Sequence, residues 1–305
     1  MTATSDLIIE RRRVRRRLAF WRILAIVALV AVVGLLIPRA GVTGGGGSEI
    51  ARVSINDIIL DDPRRERALD KIAETDRVKA LIVRINSPGG SAAASEALFD
   101  ALRRVAEEKP VVAVMAEVAA SGGYITALGA DRIFAQKNTI TGSIGVVAEI
   151  PNVEELLESV GIEVTRIKSG PLKAEPAITS EPSAESLAAL ETLMLDSFDW
   201  FRDLVAERRG LEEAAVEAVS DGRVFTGRQA LEAGLIDAIG GERGAREWLS
   251  SEHDVDADLT VRDWRWNDRE LPWPLDSLDQ ATARFLGLTR MAPRINGPSL
   301  YTIIH

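Results

Sequence analysis

Residues 110–131, "PVVAVMAEVAASGGYITALGAD", determine the fold that this sequence predicts. The apolar, β-branched run at 110–119 predicts a strand that is buried on both faces. The small residues at 122–130 predict a helix that begins directly after it. Ser121 lies at the turn between the two elements. A strand that passes straight into a helix is typical of α/β proteins with a largely parallel sheet.

The same alternation continues on both sides of this stretch. "ALIVRI" (80–85) predicts a buried strand, and "SAAASEALFDALRRVAEE" (91–108) predicts an amphipathic helix. Further strands are predicted at "RIFA" (132–135) and "EVTRI" (163–167), and further helices at 152–160, at 183–209 and after Thr226 in "VFTGRQALEAGLIDAIGG" (224–241). The long helix at 183–209 carries an apolar stripe that we assign to core or subunit packing.

Composition excludes several kinds of chemistry. The chain of 305 residues is long enough to bury a full core, and it contains no cysteine. Disulfides, thiolate metal sites and a cysteine nucleophile are therefore excluded. The net charge of −9 includes an arginine-rich N-terminus, so the rest of the chain is strongly acidic and nucleic acid is not an expected partner. We expect neither a metal nor a cofactor.

The N-terminus predicts a membrane anchor. Six arginines lie at 11–17, and the apolar segment 18–37 has 20 residues, enough helix to cross a bilayer core of roughly 30 Å. The arginines favour a cytoplasmic N-terminus, which leaves the rest outside the cytoplasm at the inner membrane. The alternative is a cleaved signal peptide with a shorter apolar core, but "PRAG" (38–41) offers no small-x-small cleavage site.

Five segments follow from these patterns. They are a basic cytoplasmic segment (1–17), a transmembrane anchor (18–37), a glycine-rich linker (38–49), a catalytic-size α/β domain (50–250) and a C-terminal extension (251–305). The linker contains "GGGGS" (44–48), which is typical of a flexible tether.

Ser121 has two interpretations from local sequence alone. A serine between a strand and a helix is most often a helix cap. It is also well placed to be a nucleophile, because the unpaired amides of a helix N-terminus attract a developing oxyanion. A second glycine turn, "SPGG" (87–90), also links a strand to a helix. Adjacent parallel strands would bring both turns to one sheet edge, where the amides of Gly89 and Gly122 are candidate oxyanion donors.

A nucleophilic serine needs a base, and histidine is scarce. His253 and His305 both lie in the last fifth of the chain, which makes a Ser-His-Asp triad a poor fit. Carboxylates are weak bases toward a hydroxyl, so a neutral lysine remains. Its pKa must fall from about 10.4 to about 7–8, which requires a dry site. "IKSGPLKAEPAI" (167–178) offers Lys168 and Lys173, and both stay open at this point.

Four motifs together resemble the signal peptide peptidase A family, peptidase family S49. They are "RINSPGGSAAASEAL" (84–98), "AEVAASGGYITALGADRIFAQKNTITGSIGVV" (116–147), "IKSGPLKAEP" (167–176) and "DGRVFTGRQALEAGLIDAIGG" (221–241), in the family's order and spacing. The resemblance implies a crotonase/Clp-protease-like fold and a membrane-anchored serine endopeptidase without a cofactor. Its implied substrates are hydrophobic peptides such as cleaved signal peptides.

The resemblance also implies roles for individual residues. Ser121 corresponds to the nucleophile and Lys173 to the general base of a Ser-Lys dyad. The "SPGG" turn corresponds to an oxyanion amide, assigned to Gly89, and Ser143 to a secondary serine near the lysine. A single catalytic unit corresponds to the short form of the family, which implies a homo-oligomer whose dyad is completed between neighbouring subunits.

The sequence departs from the family pattern close to these residues. Leu172 stands where an aromatic is usual, Ala174 and Glu175 replace the usual Asp segment, and Ile125 replaces a second tyrosine. "INDIILDD" (55–62) lacks the usual glycine. Two rival functions are compatible with the fold: a crotonase-type acyl-CoA hydratase or isomerase, and a catalytically inactive membrane scaffold.

Overall fold

A mixed α/β architecture built on one sheet organises this chain. The structure is a computed structural model that describes residues 21, 22, 24 and 47–266. Its strands are β1 Glu49–Asn56, β2 Val78–Ser87, β3 Val111–Ala120, β4 Arg132–Ala135, β5 Ile140–Gly142, β6 Val224–Thr226, β7 Ala238–Ile239 and β8 Thr260–Asp263. Its helices within 47–266 are α1 Pro63–Ala73, α2 Ala92–Glu108, α3 Gly122–Leu128, α4 Glu154–Ser159, α5 Ala184–Arg209, α6 Glu213–Val219, α7 Gly227–Glu232 and α8 Glu242–His253.

The central strands of the sheet are parallel. The order is β6-β5-β3-β2-β1-β8, with β4 beside β3 and β7 beside β4. Strands β5 and β6 are antiparallel, and the other pairings are parallel. The parallel arrangement places the carboxyl ends of β1, β2, β3 and β5 at one edge, which is where ligand sites form in open α/β sheets.

Helices cover both faces of the sheet. On one face, Val53, Ile85 and Met115 pack in a core with Leu98 and Leu102 of α2. The other face buries Ile82 and Val114 with Leu249 of α8 in a smaller core. Burial on both sides explains why β2 and β3 consist of nearly continuous apolar residues.

The central predictions from sequence are confirmed. The predicted strands at 80–85 and 110–119 correspond to β2 and β3, and the predicted helix at 91–108 corresponds to α2. The apolar stripe of this amphipathic helix is buried along its whole length. Thr226 caps α7 in a reciprocal capping box with Gln229, as the sequence after β6 predicted.

One predicted strand is wrong, and the apolar stripe of the long helix lies only partly in the core. The strand predicted at 163–167 is wrong: no strand is assigned there, and Val164 and Ile167 are 45% and 99% exposed. A strand needs a neighbour for its backbone groups, and this segment has none among the described residues. In α5, Phe201 and Val205 are buried in the core, but Leu187 is 47% exposed, so the N-terminal half of the apolar stripe is uncovered.

Strand β8 lies within the segment that we predicted as a C-terminal extension. It pairs with β1 from Glu49 opposite Thr260 to Arg52 opposite Asp263. Arg52 donates from Nε to Asp263 at 2.6 Å and from a terminal nitrogen to Glu242 at 2.8 Å. The sheet therefore continues past residue 250.

The predicted anchor lies almost entirely outside the described residues. Of the segment 18–37, the structure describes Trp21, Arg22 and Leu24. No helix within the described ranges is both long enough and apolar enough to cross a membrane.

Candidate active site

Ser121 occupies a strained turn at the carboxyl end of β3. Its backbone has φ 51° and ψ −121°, and the residue is 3% exposed. A positive φ is costly for a residue with a side chain and persists where the surroundings impose it. Here the Ser121 N–H donates to the Gly142 carbonyl at 2.8 Å, and the Ser121 carbonyl accepts from Tyr124 and Ile125. The turn is thereby fixed from both sides.

The hydroxyl of Ser121 does not cap its own helix. Ser121 is at the N-cap position of α3, but its side chain makes no capping hydrogen bond. The helix-cap interpretation depends on that bond. No other described residue is hydrogen-bonded to the hydroxyl either, so its proton is free for other chemistry.

The "SPGG" turn meets the Ser121 turn, as the sequence predicted. Gly89 has φ 114°, and a methyl group built on it would lie 2.9 Å from the Gly122 nitrogen and 3.0 Å from Ser121 Cβ. Only glycine tolerates both that backbone and that proximity. Ser87, the first residue of the turn, is itself anchored, because its hydroxyl donates to the Asp57 carbonyl at 2.6 Å.

The two amides of this turn are not equivalent. Gly89 N–H, the predicted oxyanion donor, donates to Ser87 Oγ at 3.1 Å. Gly90 forms a parallel bridge with Ile59, in which Ile59 bonds to the residues on either side of Gly90. The Gly90 N–H therefore points away from Ile59, and it has no acceptor among the described residues. A methyl group on Gly122 would lie 3.2 Å from the Gly90 nitrogen.

Gly122 provides the first amide of α3, which has no acceptor inside the helix. Its Cα packs directly on the buried Ser95 of α2, so that a methyl group on Gly122 would overlap Ser95 Oγ. The Ser95 hydroxyl donates to the Ser91 carbonyl at 3.0 Å. This contact fixes the distance between the Ser121 turn and α2. The Gly90 and Gly122 amides then lie beside the serine.

Ser143 lies next to Ser121 across the sheet. Strands β3 and β5 are in register from Val118 opposite Ile140 to Ala120 opposite Gly142. Ser121 and Ser143 are the next residues after the two ends of this ladder, and both have positive φ. The structure thus brings the predicted secondary serine beside the predicted nucleophile.

A narrow apolar pocket opens beside Ser121. Its free volume is about 10 Å³. It is lined by Gly90, Ala92, Ser121, Gly122, Ile125, Gly145, Val146, Ser197, Trp200 and Phe201. Neither candidate lysine is among these residues.

The two lysines differ in their surroundings. Lys168 donates to Glu175 at 2.6 Å and to the Pro171 carbonyl at 2.9 Å. The hydrogen bond from Lys168 lowers the pKa of Glu175, assisted by Arg166. The Glu175 carboxylate therefore pairs with Lys168 and Arg166. The Lys173 side chain is exposed. Of the two lysines, Lys173 is the one whose side chain has no hydrogen-bond or ion-pair partner among the described residues.

A wider apolar groove adjoins the Ser121 pocket through Gly145 and Val146, which line both. Its volume is about 580 Å³. The uncovered half of α5 supplies most of its apolar wall, with Leu187, Leu190, Met194, Leu195 and Phe198.

Sequence reasoning missed the contribution of α5 to the Ser121 pocket. Ser197, Trp200 and Phe201 follow one another within a turn or so of that helix and line the pocket. Helical spacing alone places these residues close together. Nothing in the local pattern indicates that α5 crosses the sheet edge at Ser121, which depends on contacts between distant segments.

Sequence comparison matches this chain to known peptidases. The sequence model of peptidase family S49 matches residues 103–256. "Putative protease slr0021" of Synechocystis sp. is 39% identical over 246 residues, covering 79% of this chain and 88% of that protein. "Putative signal peptide peptidase SppA" of Enterococcus faecium is 33% identical over 236 residues, covering 73% of this chain and 68% of that protein.

A third relative is "Serine protease SPPA, chloroplastic" of Arabidopsis thaliana, 40% identical over 190 residues, which cover 58% of this chain and 27% of that protein. The family match spans α3 and its turn at Ser121, and the two bacterial relatives are covered over two thirds or more of their length. The chain therefore belongs to peptidase family S49 and is a serine protease of that family.

Proposed function

We propose that this protein is a membrane-anchored, extracytoplasmic endopeptidase that cleaves hydrophobic peptides, including cleaved signal peptides, with a Ser121–Lys173 dyad. The observation that carries the proposal is the Ser121 hydroxyl, which has no hydrogen-bond partner among the described residues and lies at a strained turn beside two amides that likewise have no acceptor there. This combination is what acyl transfer to a serine requires. The strand–turn–helix arrangement at one sheet edge also suits the crotonase/Clp-protease-like fold that the motifs imply.

The reaction follows from these positions. Neutral Lys173 accepts the Ser121 proton as Ser121 Oγ attacks the peptide carbonyl carbon. The oxygen of that carbonyl becomes negative and is stabilised by backbone amides. Lys173 then donates the proton to the leaving amine, which breaks the C–N bond and leaves an acyl-enzyme. Water, deprotonated by Lys173, attacks the ester and releases Ser121 with its proton returned.

We place the two oxyanion donors at Gly122 and Gly90. Both amides lack an acceptor among the described residues and lie next to each other beside Ser121. Gly89, the donor assigned from sequence, serves only if its hydrogen bond to Ser87 is exchanged for one to the substrate.

Lys173 reaches Ser121 of a neighbouring subunit in this proposal. Lys173 is exposed within its own chain, and the segment around it projects apolar side chains into solvent, including Leu156, Ile162 and Ile167. Exposed apolar surface of this extent is typical of an association interface. Association would bury Lys173 and provide the dry environment that a neutral lysine needs.

The substrate class rests on the groove and on the predicted anchor. The apolar groove next to Ser121 suits hydrophobic side chains. An anchor at 18–37 would hold the domain at the membrane surface, where cleaved signal peptides are released.

Labelling with a fluorophosphonate probe tests the proposal. The full-length protein in detergent micelles should be modified at Ser121, as read by peptide mass spectrometry, and should cleave a signal-peptide sequence. Ser121→Ala should abolish both, whereas Ser186→Ala, which removes another buried serine that lines neither the Ser121 pocket nor the groove, should retain both. An inactive scaffold or an acyl-CoA enzyme would show no labelling of Ser121, and that result would overturn the proposal.

A further inference from the structure

A separate cavity opens on the face of the sheet that carries α8. Its volume is about 500 Å³, and it is lined in part by Ser54 and Arg84, which lie opposite each other on β1 and β2. Val53 and Val83, the residues just before them, belong to the main core under α2. Because side chains alternate along a strand, Ser54 and Arg84 point to the opposite face. The sheet therefore separates this cavity from the layer that contains α2.

The cavity lies where α8 stops covering this face. Ile50 packs in the smaller core with residues of α8. Two residues further along β1, Arg52 donates to Glu242, the first residue of α8, at 2.8 Å. The next positions on this face, Ser54 and Asn56, are polar and line the cavity. Strands of a parallel sheet are normally apolar on both faces, so this change to polar residues indicates a surface that is not built for packing.

Two arginines approach the cavity from either side of β1. The Trp264 N–H donates to the Arg52 carbonyl at 2.8 Å, so the chain after β8 still runs beside β1. Arg265 follows and lines the cavity on that side, and Arg84 lines it from β2. Neighbouring strands are close to 5 Å apart, which puts the two backbones about 10 Å from each other, with β1 between them. Two arginine side chains of this spacing can reach one small ligand.

These two arginines are the uncompensated charges of the cavity. Asp263 is the carboxylate that lines it, and this carboxylate accepts from Arg52 at 2.6 Å. Arg84 and Arg265 are exposed, and neither makes a hydrogen bond or an ion pair with a described residue. The whole chain has a net charge of −9, so a positive cavity stands out from its surroundings. Such a site attracts anions.

The donors of the cavity suit a phosphate group. A guanidinium donates two parallel N–H bonds to the oxygens of a phosphate or a carboxylate. One guanidinium can occupy both oxygens of a carboxylate, whereas a phosphate has further oxygens for a second guanidinium and for neutral donors. Ser54 and Asn56 supply such donors, since neither side chain is hydrogen-bonded to a described residue.

We propose that this cavity binds a phosphate group through Arg84 and Arg265, with additional hydrogen bonds from Ser54 and Asn56. The phosphate belongs either to the headgroup of an anionic phospholipid or to free phosphate, since both present the same oxygens. The inference does not depend on the proposed function of Ser121, because the cavity shares no lining residue with the Ser121 pocket or with the apolar groove.

Isothermal titration calorimetry of the full-length protein in non-ionic detergent tests the proposal. The lipid probe is dihexanoyl phosphatidylglycerol, and the soluble probe is inorganic phosphate. We expect saturable binding of at least one of them, and the probe that saturates identifies the source of the phosphate. Arg84→Gln and Arg265→Gln should each raise the Kd by about tenfold or more, because each removes charge-assisted hydrogen bonds. Acetate at the same ionic strength should not give saturable binding.

The double variant Lys137→Gln/Arg228→Gln is the matched control. Lys137 and Arg228 are two exposed cations outside the cavity, and their side chains also have no partner among the described residues. Their removal changes the net charge as much as Arg84→Gln and Arg265→Gln together, and the Kd should stay at the wild-type value. The arginines at 11–17 are present in every variant, so their attraction for anionic lipid is the same throughout.

Three results would overturn the phosphate site: no saturable binding of either probe, a Kd that Arg84→Gln and Arg265→Gln leave unchanged, or acetate binding as tight as that of the phosphate probes. A loss in the control variant equal to that in the arginine variants would also overturn it, since the attraction would then come from overall charge. Fluorophosphonate labelling of Ser121 at the wild-type level in each variant shows that the fold is intact.

Discussion

The amide of Ser121 donates a hydrogen bond of 2.8 Å to the carbonyl of Gly142, the last residue of β5. This bond extends the pairing of β3 and β5 by one residue and holds Ser121 at φ 51°. It explains why a short strand of three residues matters to the site. Strand β5 fixes the strained turn and places Ser143 next to the predicted nucleophile.

A subunit-mixing experiment tests whether the dyad is shared. We expect Ser121→Ala and Lys173→Met each to lower kcat/KM by on the order of 10³-fold or more, since each removes a reacting group. Co-expressed in equal amounts, the two variants should recover about a quarter of wild-type activity, because random cyclic assembly pairs an intact serine with a neighbour's intact lysine at that frequency.

Lys168→Met is the control for the lysine assignment. It removes the ion pair with Glu175 but no reacting group, so we expect a much smaller loss than for Lys173→Met. Failure of the mixed variants to recover activity would show that the dyad forms within one chain. A Lys173→Met variant with wild-type kinetics would refute the role of Lys173.

The contact between Gly122 and Ser95 predicts a non-additive pair of substitutions. A methyl group at Gly122 overlaps Ser95 Oγ, so Gly122→Ala should shift the Ser121 turn and reduce kcat/KM by about 100-fold. Adding Ser95→Ala removes the overlapping oxygen, leaving the Ser95 Cβ 3.2 Å from the new methyl group. The double variant should therefore recover about tenfold of the lost activity.

Ser95→Ala alone is the reference for this cycle. It loses only the hydrogen bond to the Ser91 carbonyl, and we expect a small effect on peptide cleavage. If the two substitutions prove additive in kcat/KM, the height of the turn is not set by this contact.

Much of the fold follows from local sequence, because the strand–turn–helix units around Ser87 and Ser121 lie in consecutive residues. The identity of the backbone amide available to an oxyanion could not be predicted in this way. The sequence assigned the oxyanion role to Gly89, whereas within the described part of the chain it is the Gly90 N–H that has no acceptor. That distinction depends on Ser87 and on Ile59, which is 31 residues before Gly90. Trp200 was missed for the same reason: it comes to Ser121 through the path of α5, which no local periodicity describes.

The docking of β8 predicts a pH-dependent contribution to stability. The hydrogen bond from Arg52 holds the pKa of Asp263 below its usual value. A depressed folded-state pKa stabilises the fold above the unfolded pKa near 4, and the contribution is lost as pH falls through the folded value. Asp263→Asn should therefore lower the free energy of unfolding by about 0.5 kcal/mol at pH 7, as expected for a partly exposed ion pair, and by less at pH 2.

Asp258→Asn serves as the comparison, since the Asp258 carboxylate is exposed and accepts no hydrogen bond from a described residue. Urea denaturation at both pH values measures the difference. An Asp263→Asn variant as stable as the wild type at pH 7 would mean that the Arg52–Asp263 pair does not hold β8 on β1.

The buried phenol of Tyr124 predicts a second stability effect, at alkaline pH. Tyr124 is fully buried and donates to the Leu235 carbonyl at 2.8 Å, which ties α3 to the segment after α7. Tyr124→Phe leaves that carbonyl without this donor, and we expect a loss of about 1–3 kcal/mol in the free energy of unfolding at pH 7. Burial raises the pKa of Tyr124, so the folded state keeps its proton above pH 10, where the unfolded phenol ionises.

Stability contributed by a group with a raised pKa is present below the unfolded pKa and declines as pH rises through the folded one. The wild type should therefore lose its advantage over Tyr124→Phe as pH rises above about 10. Urea denaturation at pH 7, 9 and 10.5 compares the two proteins. A difference that stays constant across this range would show that the phenol reaches solvent. The α3 contact with Leu235 would then not be the buried link that holds the Ser121 helix in place.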